Sequence, residues 1–216
     1  MMICERTIFF VKNPIQGNVK TRLAATVGHE KAVEVYIELL KHTKKVIKKL
    51  LESAPTSVQF RVNVYYGDYV NSNDLWSELP VNKYLQSEGD LGERMKNALK
   101  AEFVAGASQV VIIGSDCLML RPRHIKNAMD ELGTVDVVIG PATDGGYYLL
   151  GMKQLHPFLF ENKSWSQSTV LEETLTDLTE KKLGDNTQLS YSLLETLSDV
   201  DTWEDYLVAF EVAKIL

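Results

Sequence analysis

Four consecutive β-branched residues, Val110-Val111-Ile112-Ile113, run straight into Gly114-Ser115-Asp116-Cys117. No polar residue interrupts the run, so both faces of such a strand have to be covered. That points to a central strand of a parallel α/β sheet. In open sheets of this kind ligands bind beyond the carboxyl ends of the strands, and Asp116 stands there. A second apolar run over 135–141 leads into Asp144-Gly145-Gly146-Tyr147-Tyr148. Two strands that each deliver an aspartate at one sheet edge outline an active site.

The rest of the chain alternates in the same way. A strand over 7–11 leads into a Pro14- and Gly17-shaped loop, and an amphipathic helix over 30–51 carries lysines opposite its apolar stripe. Strands are expected over 60–66 and 84–86, with a short helix over 71–79 between them. Asp90 and Glu93 have capping-box spacing at the head of a helix reaching 105. Further helices are expected over 122–132, from Thr169 to 180, and from Asp201 to the C-terminus, with strands over 147–152 and 189–193. This order implies a mostly parallel sheet covered on both faces, in one domain over 1–216.

Composition narrows the function classes. Hydrophobic residues make up 45% and charged residues 24%, the mix of a water-soluble globular chain. The net charge of −6 argues against a general nucleic-acid binder. No run approaches the ~18 apolar residues of a membrane span. The N-terminus leads into a strand without a signal-peptide pattern. Cys4 and Cys117 form neither a disulfide framework nor a zinc cluster. The chain therefore reads as reduced and cytoplasmic, and it carries no signal for an oligomeric state.

Four constellations can carry chemistry. The loop after the first strand holds Lys12, Lys20 and Arg22 around Gly17, and such a loop can offer backbone N–H groups and positive charge to phosphates. A solvated basic loop would look the same. It is neither G-x-x-x-x-G-K-[ST] nor G-x-G-x-x-G, so the P-loop and dinucleotide-binding readings lose their main signals. Asp116 suits Mg²⁺ or Mn²⁺ on phosphate oxygens, or alternatively caps the next turn. In Asp144-Gly145-Gly146-Tyr147 the glycines let backbone approach a ligand and Asp144 can act as a base, although Asp-Gly also marks a tight turn. Asp199 and Asp201 stand near the last helix, where Asp201 with Glu204 has N-cap spacing. Trp165 heads a Ser-rich run and either walls a pocket or simply packs. His29, His42, His124 and His156 show no ligand spacing, and Cys117 has no activating histidine nearby in sequence.

Taken together, Lys12-x-Pro14-x-x-Gly17-x-Val19-Lys20-Thr21-Arg22-Leu23, Gln86-x-x-Gly89-Asp90-Leu91-Gly92-Glu93-Arg94, Ile113-Gly114-Ser115-Asp116, Pro141-Ala142-x-Asp144-Gly145-Gly146-Tyr147, Trp165 and Asp199-x-Asp201 resemble one family across nearly the whole chain. It is the bacterial glycosyltransferase-like family associated with arsenosugar biosynthesis. That family belongs with the nucleotide-diphospho-sugar transferases of GT-A fold, whose relatives include guanylyltransferases. One position departs: Leu118 replaces the proline of the family's Asp-x-Pro. The resemblance implies a three-layer α/β/α sandwich with a mostly parallel central sheet. It implies a metal-assisted glycosyltransferase moving a sugar from a nucleotide-diphosphate sugar to a small-molecule acceptor. The alternative is nucleotidyl transfer from an NTP to a phosphorylated acceptor, and a non-catalytic nucleotide-binding module is a third class. Lys12, Gly17, Lys20, Arg22, Gly89 and Arg94 would bind the nucleotide and its phosphates, and Asp116 and Asp201 would hold Mg²⁺ or Mn²⁺. Asp144 would be the catalytic base, with Gly145, Gly146, Tyr147 and Trp165 on the acceptor side.

Overall fold

The computed structural model describes residues 3–182 and 187–215, except for the side chains of 213–215. Seven strands form one sheet in the order β3-β2-β1-β4-β6-β5-β7. They are β1 (Ile3–Val11), β2 (Val58–Tyr66), β3 (Asn82–Leu85), β4 (Gln109–Ile113), β5 (Val137–Pro141), β6 (Tyr147–Met152) and β7 (Tyr191–Leu193). All neighbours pair parallel except β6, which runs antiparallel to both β4 and β5.

The apolar runs read from the sequence supply both faces of this sheet. Alternate residues of β1, β4 and β5 point to opposite sides. Phe9, Val111, Ile113 and Val138 join one core, and Ile8, Val110, Ile112, Val137 and Ile139 join the other. The first core is covered by α2 (His29–Ser53), α4 (Pro122–Glu131) and α6 (Trp203–Ile215). The second is covered by α3 (Leu91–Val104) and α5 (Val170–Glu180), with a 3₁₀ turn at Pro157–Phe160. The result is a three-layer α/β/α sandwich around a mostly parallel sheet, as expected.

Several local expectations change. No helix forms over 71–79: the Asp74 carboxylate accepts the Trp76 N–H and the Lys83 ammonium, so side-chain bonds replace the helical ladder with turns. A short helix not read from the sequence, α1 (Thr21–Val27), follows Lys20, whose backbone is left-handed at φ 47. The last helix is capped by Thr202 and not by Asp201: Thr202 Oγ1 accepts the Asp205 N–H at 3.1 Å, and the Asp205 carboxylate accepts the Thr202 N–H at 2.8 Å. The expected end of that helix at Leu216 lies outside the described residues. Among the described residues, no helix is long and apolar enough to cross a membrane.

Candidate active site

Strands β1, β4 and β5 are mutually parallel, so their following loops open on the same sheet edge. A cavity of about 620 Å³ lies there. Its wall includes Lys12, Lys20, Arg22, Arg94, Asp116 and Asp144, and also Gly146, Tyr147, Trp165, Asp199 and Asp201. These residues are scattered over most of the chain, and the fold brings them to one place.

The acidic centre is assembled by backbone pairing. Val200 N–H donates to the Asp116 carbonyl at 2.9 Å, and Leu197 N–H donates to the Pro141 carbonyl at 3.0 Å. The segment carrying Asp199 and Asp201 is thereby laid across the ends of β5 and β4. Val200 is fully buried, and the aspartates on either side of it turn into the cavity. Thr202 takes the capping role, so the Asp201 carboxylate is left for the site. It meets the Lys20 ammonium at 3.4 Å and the Arg22 guanidinium at 3.2 Å. Lys20 also meets Asp116 at 3.0 Å. Burial alone would lower the Lys20 pKa, but Asp116 and Asp201 outweigh it and raise it.

Asp199 forms none of these ion pairs. Burial, then the charges of Asp116 and Asp144, push its carboxyl up to about 7. Lys20 offsets only part of that repulsion. A cluster short of positive charge is the donor chemistry that a hard divalent cation fits. Among the described residues, however, no three carboxylate, histidine or cysteine side chains converge on one point. The Lys20 ammonium stands between Asp116 and Asp201 in that space.

The cationic rim is held from below. Tyr36 of α2 is buried under the ends of β1 and β4. Its hydroxyl accepts the Lys12 N–H at 2.9 Å and lies 3.3 Å from Ser115 Oγ. Asn13, also buried, donates to Asp68 at 2.8 Å and to the Tyr69 carbonyl at 2.8 Å, fixing the loop against the exit of β2. The Arg94 Nε donates to the Gly89 carbonyl at 2.9 Å, which leaves the outer guanidinium nitrogens facing the cavity.

Three predicted glycines stand outside the cavity wall. Gly17 (φ 84) forms the exposed turn of the first loop, with open space around it. Gly89 (φ 107) lies under the Glu93 side chain and positions Arg94 through its carbonyl. Gly145 (φ 88) is pressed against the Ser168 carbonyl, so it shapes the site from behind. Gly146 and Asp144 do line the cavity, and Asp144 Oδ1 accepts the Gly146 N–H at 2.9 Å. Leu118, where the family pattern has proline, is buried in the core, and its carbonyl accepts Arg121 Nη1 at 2.9 Å. Reading the sequence missed Tyr36 and Asn13 as site supports. Tyr36 falls on the apolar stripe of α2, and nothing local separates a core tyrosine from one whose hydroxyl is used.

A covered, mostly parallel sheet with one antiparallel strand, opening at its β1–β4–β5 edge on a pocket of lysines, arginines and aspartates, defines a nucleotide-diphospho-sugar transferase-like fold. The chain belongs to the DUF2064 family, described as an uncharacterized protein conserved in bacteria, whose pattern matches residues 50–167. It is similar to a protein of Desulfovibrio desulfuricans G20 provisionally called a nucleotide-diphospho-sugar transferase. The two share 29% identity over 97% of this chain and 87% of that one, at a TM-score of 0.81. Two further structures share the fold. The 4-diphosphocytidyl-2C-methyl-D-erythritol synthase of Anaerococcus prevotii DSM 20548 is 10% identical over 99% of this chain and 100% of its own, at a TM-score of 0.61. The inositol-1-phosphate CTP transferase of T. maritima is 13% identical over 98% and 97%, at a TM-score of 0.55. No curated protein matches the chain. The last two structures share the fold alone, and it is the Desulfovibrio protein whose likeness supports a transferase.

Proposed function

We propose that the protein transfers a sugar from a nucleotide-diphosphate sugar to a hydroxyl of a small-molecule acceptor, as a member of the arsenosugar-associated group within its family. The observation that carries this reading is the single cavity in which Lys12, Lys20, Arg22 and Arg94 face Asp116, Asp199 and Asp201, with Asp144 alongside. The cations bind the diphosphate by charge-assisted hydrogen bonds. Asp116 and Asp201 would hold Mg²⁺ or Mn²⁺, in the space where the Lys20 ammonium stands between them. Bound there, such an ion would supply positive charge opposite the departing nucleoside diphosphate. Asp144 takes the proton of the acceptor hydroxyl. The acceptor oxygen bonds to the anomeric carbon as the bond from that carbon to the diphosphate oxygen breaks. Gly146 N–H holds one oxygen of Asp144 in place at 2.9 Å, leaving the other for the hydroxyl.

Nucleotidyl transfer is the second reading: the four cations around the cavity suit a triphosphate as well as a diphosphate. The two reactions differ in leaving group. The test is to incubate the protein and Mn²⁺ with nucleotide sugars, or with NTPs and sugar phosphates, and to assay nucleoside diphosphate and pyrophosphate. Nucleoside diphosphate released from a nucleotide sugar supports glycosyl transfer, and Asp144→Asn should then stop turnover while sparing donor binding. Pyrophosphate release from an NTP replaces it with the second reading. Neither product would reject both.

A further inference from the structure

Trp165 is held in the cavity wall by a segment built at some conformational cost. Between the 3₁₀ turn and α5, Asn162 (φ 54) and Ser166 (φ 65) both adopt left-handed backbone, although neither is glycine. Such residues cost energy and persist only where their surroundings fix them. Here Glu173 braces the arch at both ends: one carboxylate oxygen accepts the Ser164 N–H at 2.9 Å and the other the Thr169 hydroxyl at 2.8 Å. The buried Lys163 ammonium ties the arch to Asp177 and to the Glu173 carbonyl. Leu171 N–H donates to the Gly145 carbonyl at 2.9 Å, and Gly145 fits under Ser168 only because it lacks a Cβ.

The product of this bracing is the position of one ring. The Trp165 indole fills the place where a Cβ of Gly92 would be, at the first turn of α3; it is partly buried against the second core and lines the cavity. The braced arch fixes this ring so that one part packs on the core and another part faces the cavity. Ser166 and Gln167 of the same arch line the cavity with it, as do Leu91 and Arg94 on either side of Gly92. An aromatic surface flanked by a hydroxyl and an amide matches a ring with C–H bonds on one face and hydroxyls at its edge. On Gly92 the indole stands between the two ends of the cavity. Gln86 and the cationic loop lie at the β3 and β1 side of Asp116, whereas Asp144 and Tyr147 lie at the β5–β6 side.

We infer that the Trp165 arch is a subsite for a sugar or sugar-like polyol ring, seated against the indole with its hydroxyls toward Ser166 and Gln167. This rests on the nucleotide-sugar reading of the cavity. Trp165 determines specificity for the group carried by the diphosphate, and it does not contact the phosphates.

The test compares bare nucleoside diphosphates with their hexose-bearing counterparts (UDP with UDP-glucose, GDP with GDP-mannose, ADP with ADP-glucose) in Mn²⁺, by calorimetry and tryptophan emission. At least one hexose-bearing member should bind tenfold or more tighter than its bare partner and change the emission. Trp165→Ala should remove that preference while leaving the bare diphosphate within about twofold. Trp165→Phe, which keeps an aromatic surface and the fold, should retain the preference but lose most of the emission change, since neither Trp76 nor Trp203 lines the cavity. Equal affinity for every pair, or a preference that survives Trp165→Ala, overturns the subsite and leaves nucleotide binding intact. Failure of every nucleotide to bind overturns the proposed function, and the subsite with it.

Discussion

The Lys20 ammonium lies 3.0 Å from Asp116 Oδ1, joining the loop after β1 to the end of β4. The same ammonium reaches Asp201 at 3.4 Å, so one buried lysine ties together three segments of the site. Its left-handed backbone at φ 47 is the local cost of that placement. Without it, Asp116, Asp199 and Asp201 would repel one another with only Arg22 to compensate.

Lys20→Met should therefore act on both binding and stability. Loss of a charge-assisted phosphate contact, worth ~1.5–3 kcal/mol, weakens nucleoside diphosphate binding about tenfold or more. The partner carboxylates are more than one-third exposed, so solvent screens the freed charge and the stability loss is only about 1 kcal/mol. Calorimetric titration and a melting curve read the two effects. A variant that binds the nucleotide as tightly as the parent chain removes Lys20 from the phosphate site.

Asp199 gives the site a pH signature. Its folded-state pKa of about 7 stands above the ordinary 3.8, so between these values the folded chain holds a proton that the unfolded chain has released. Stability from this group falls as pH rises through that window, with the full penalty above pH 7 and none below about 4. In EDTA, Asp199→Asn should raise the melting temperature by several degrees at pH 8 and leave it unchanged at pH 4. Mn²⁺ should stabilise the parent chain more than the variant. A difference between the two chains that does not vary with pH removes the assigned cause.

Much of this site was legible because its strands are short and uniformly apolar: β4 and Asp116 follow from one run of four β-branched residues. The direction of β6 could also have been read. Only Ala142–Gly146 separates β5 from β6, whereas a parallel crossover takes a dozen residues or more, so the Asp-Gly turn already required an antiparallel pair. The role of Asp201 was harder to see, because Asp201/Glu204 and Thr202/Asp205 have the same capping spacing one residue apart. Only the structure shows that Thr202 caps the helix and Asp201 faces the lysine. The Val200–Asp116 backbone bond that brings Asp199 into the cluster spans 84 residues, and no local pattern encodes it.

Cys117 stands beside Asp116 and lines the cavity, yet it should be chemically silent. Burial, with the charge of Asp199, pushes its thiol up to about 12, and it is only 4% exposed. A thiol in that state is not a nucleophile at neutral pH. The native protein should resist iodoacetamide at pH 8 at this position. Cys117→Ala should keep transfer activity within about twofold at a cost of ~1 kcal/mol in stability. Rapid alkylation with loss of activity would reverse this assignment.

Gly145 and Gly17 share a positive φ and should nevertheless respond differently to alanine. At Gly17 (φ 84) nothing lies within reach of an added Cβ, so the cost is backbone strain alone, about 1 kcal/mol. At Gly145 (φ 88) the same strain is joined by overlap with the Ser168 carbonyl, a backbone atom that moves only if the Trp165 arch moves. Gly145→Ala should cost at least ~2–3 kcal/mol, a melting shift of roughly 5–10 °C, against a few degrees for Gly17→Ala. It should also shift the emission of Trp165, which Gly17→Ala leaves unchanged. Equal melting shifts with unchanged emission would show that the arch is not seated on the Asp144–Gly145 turn.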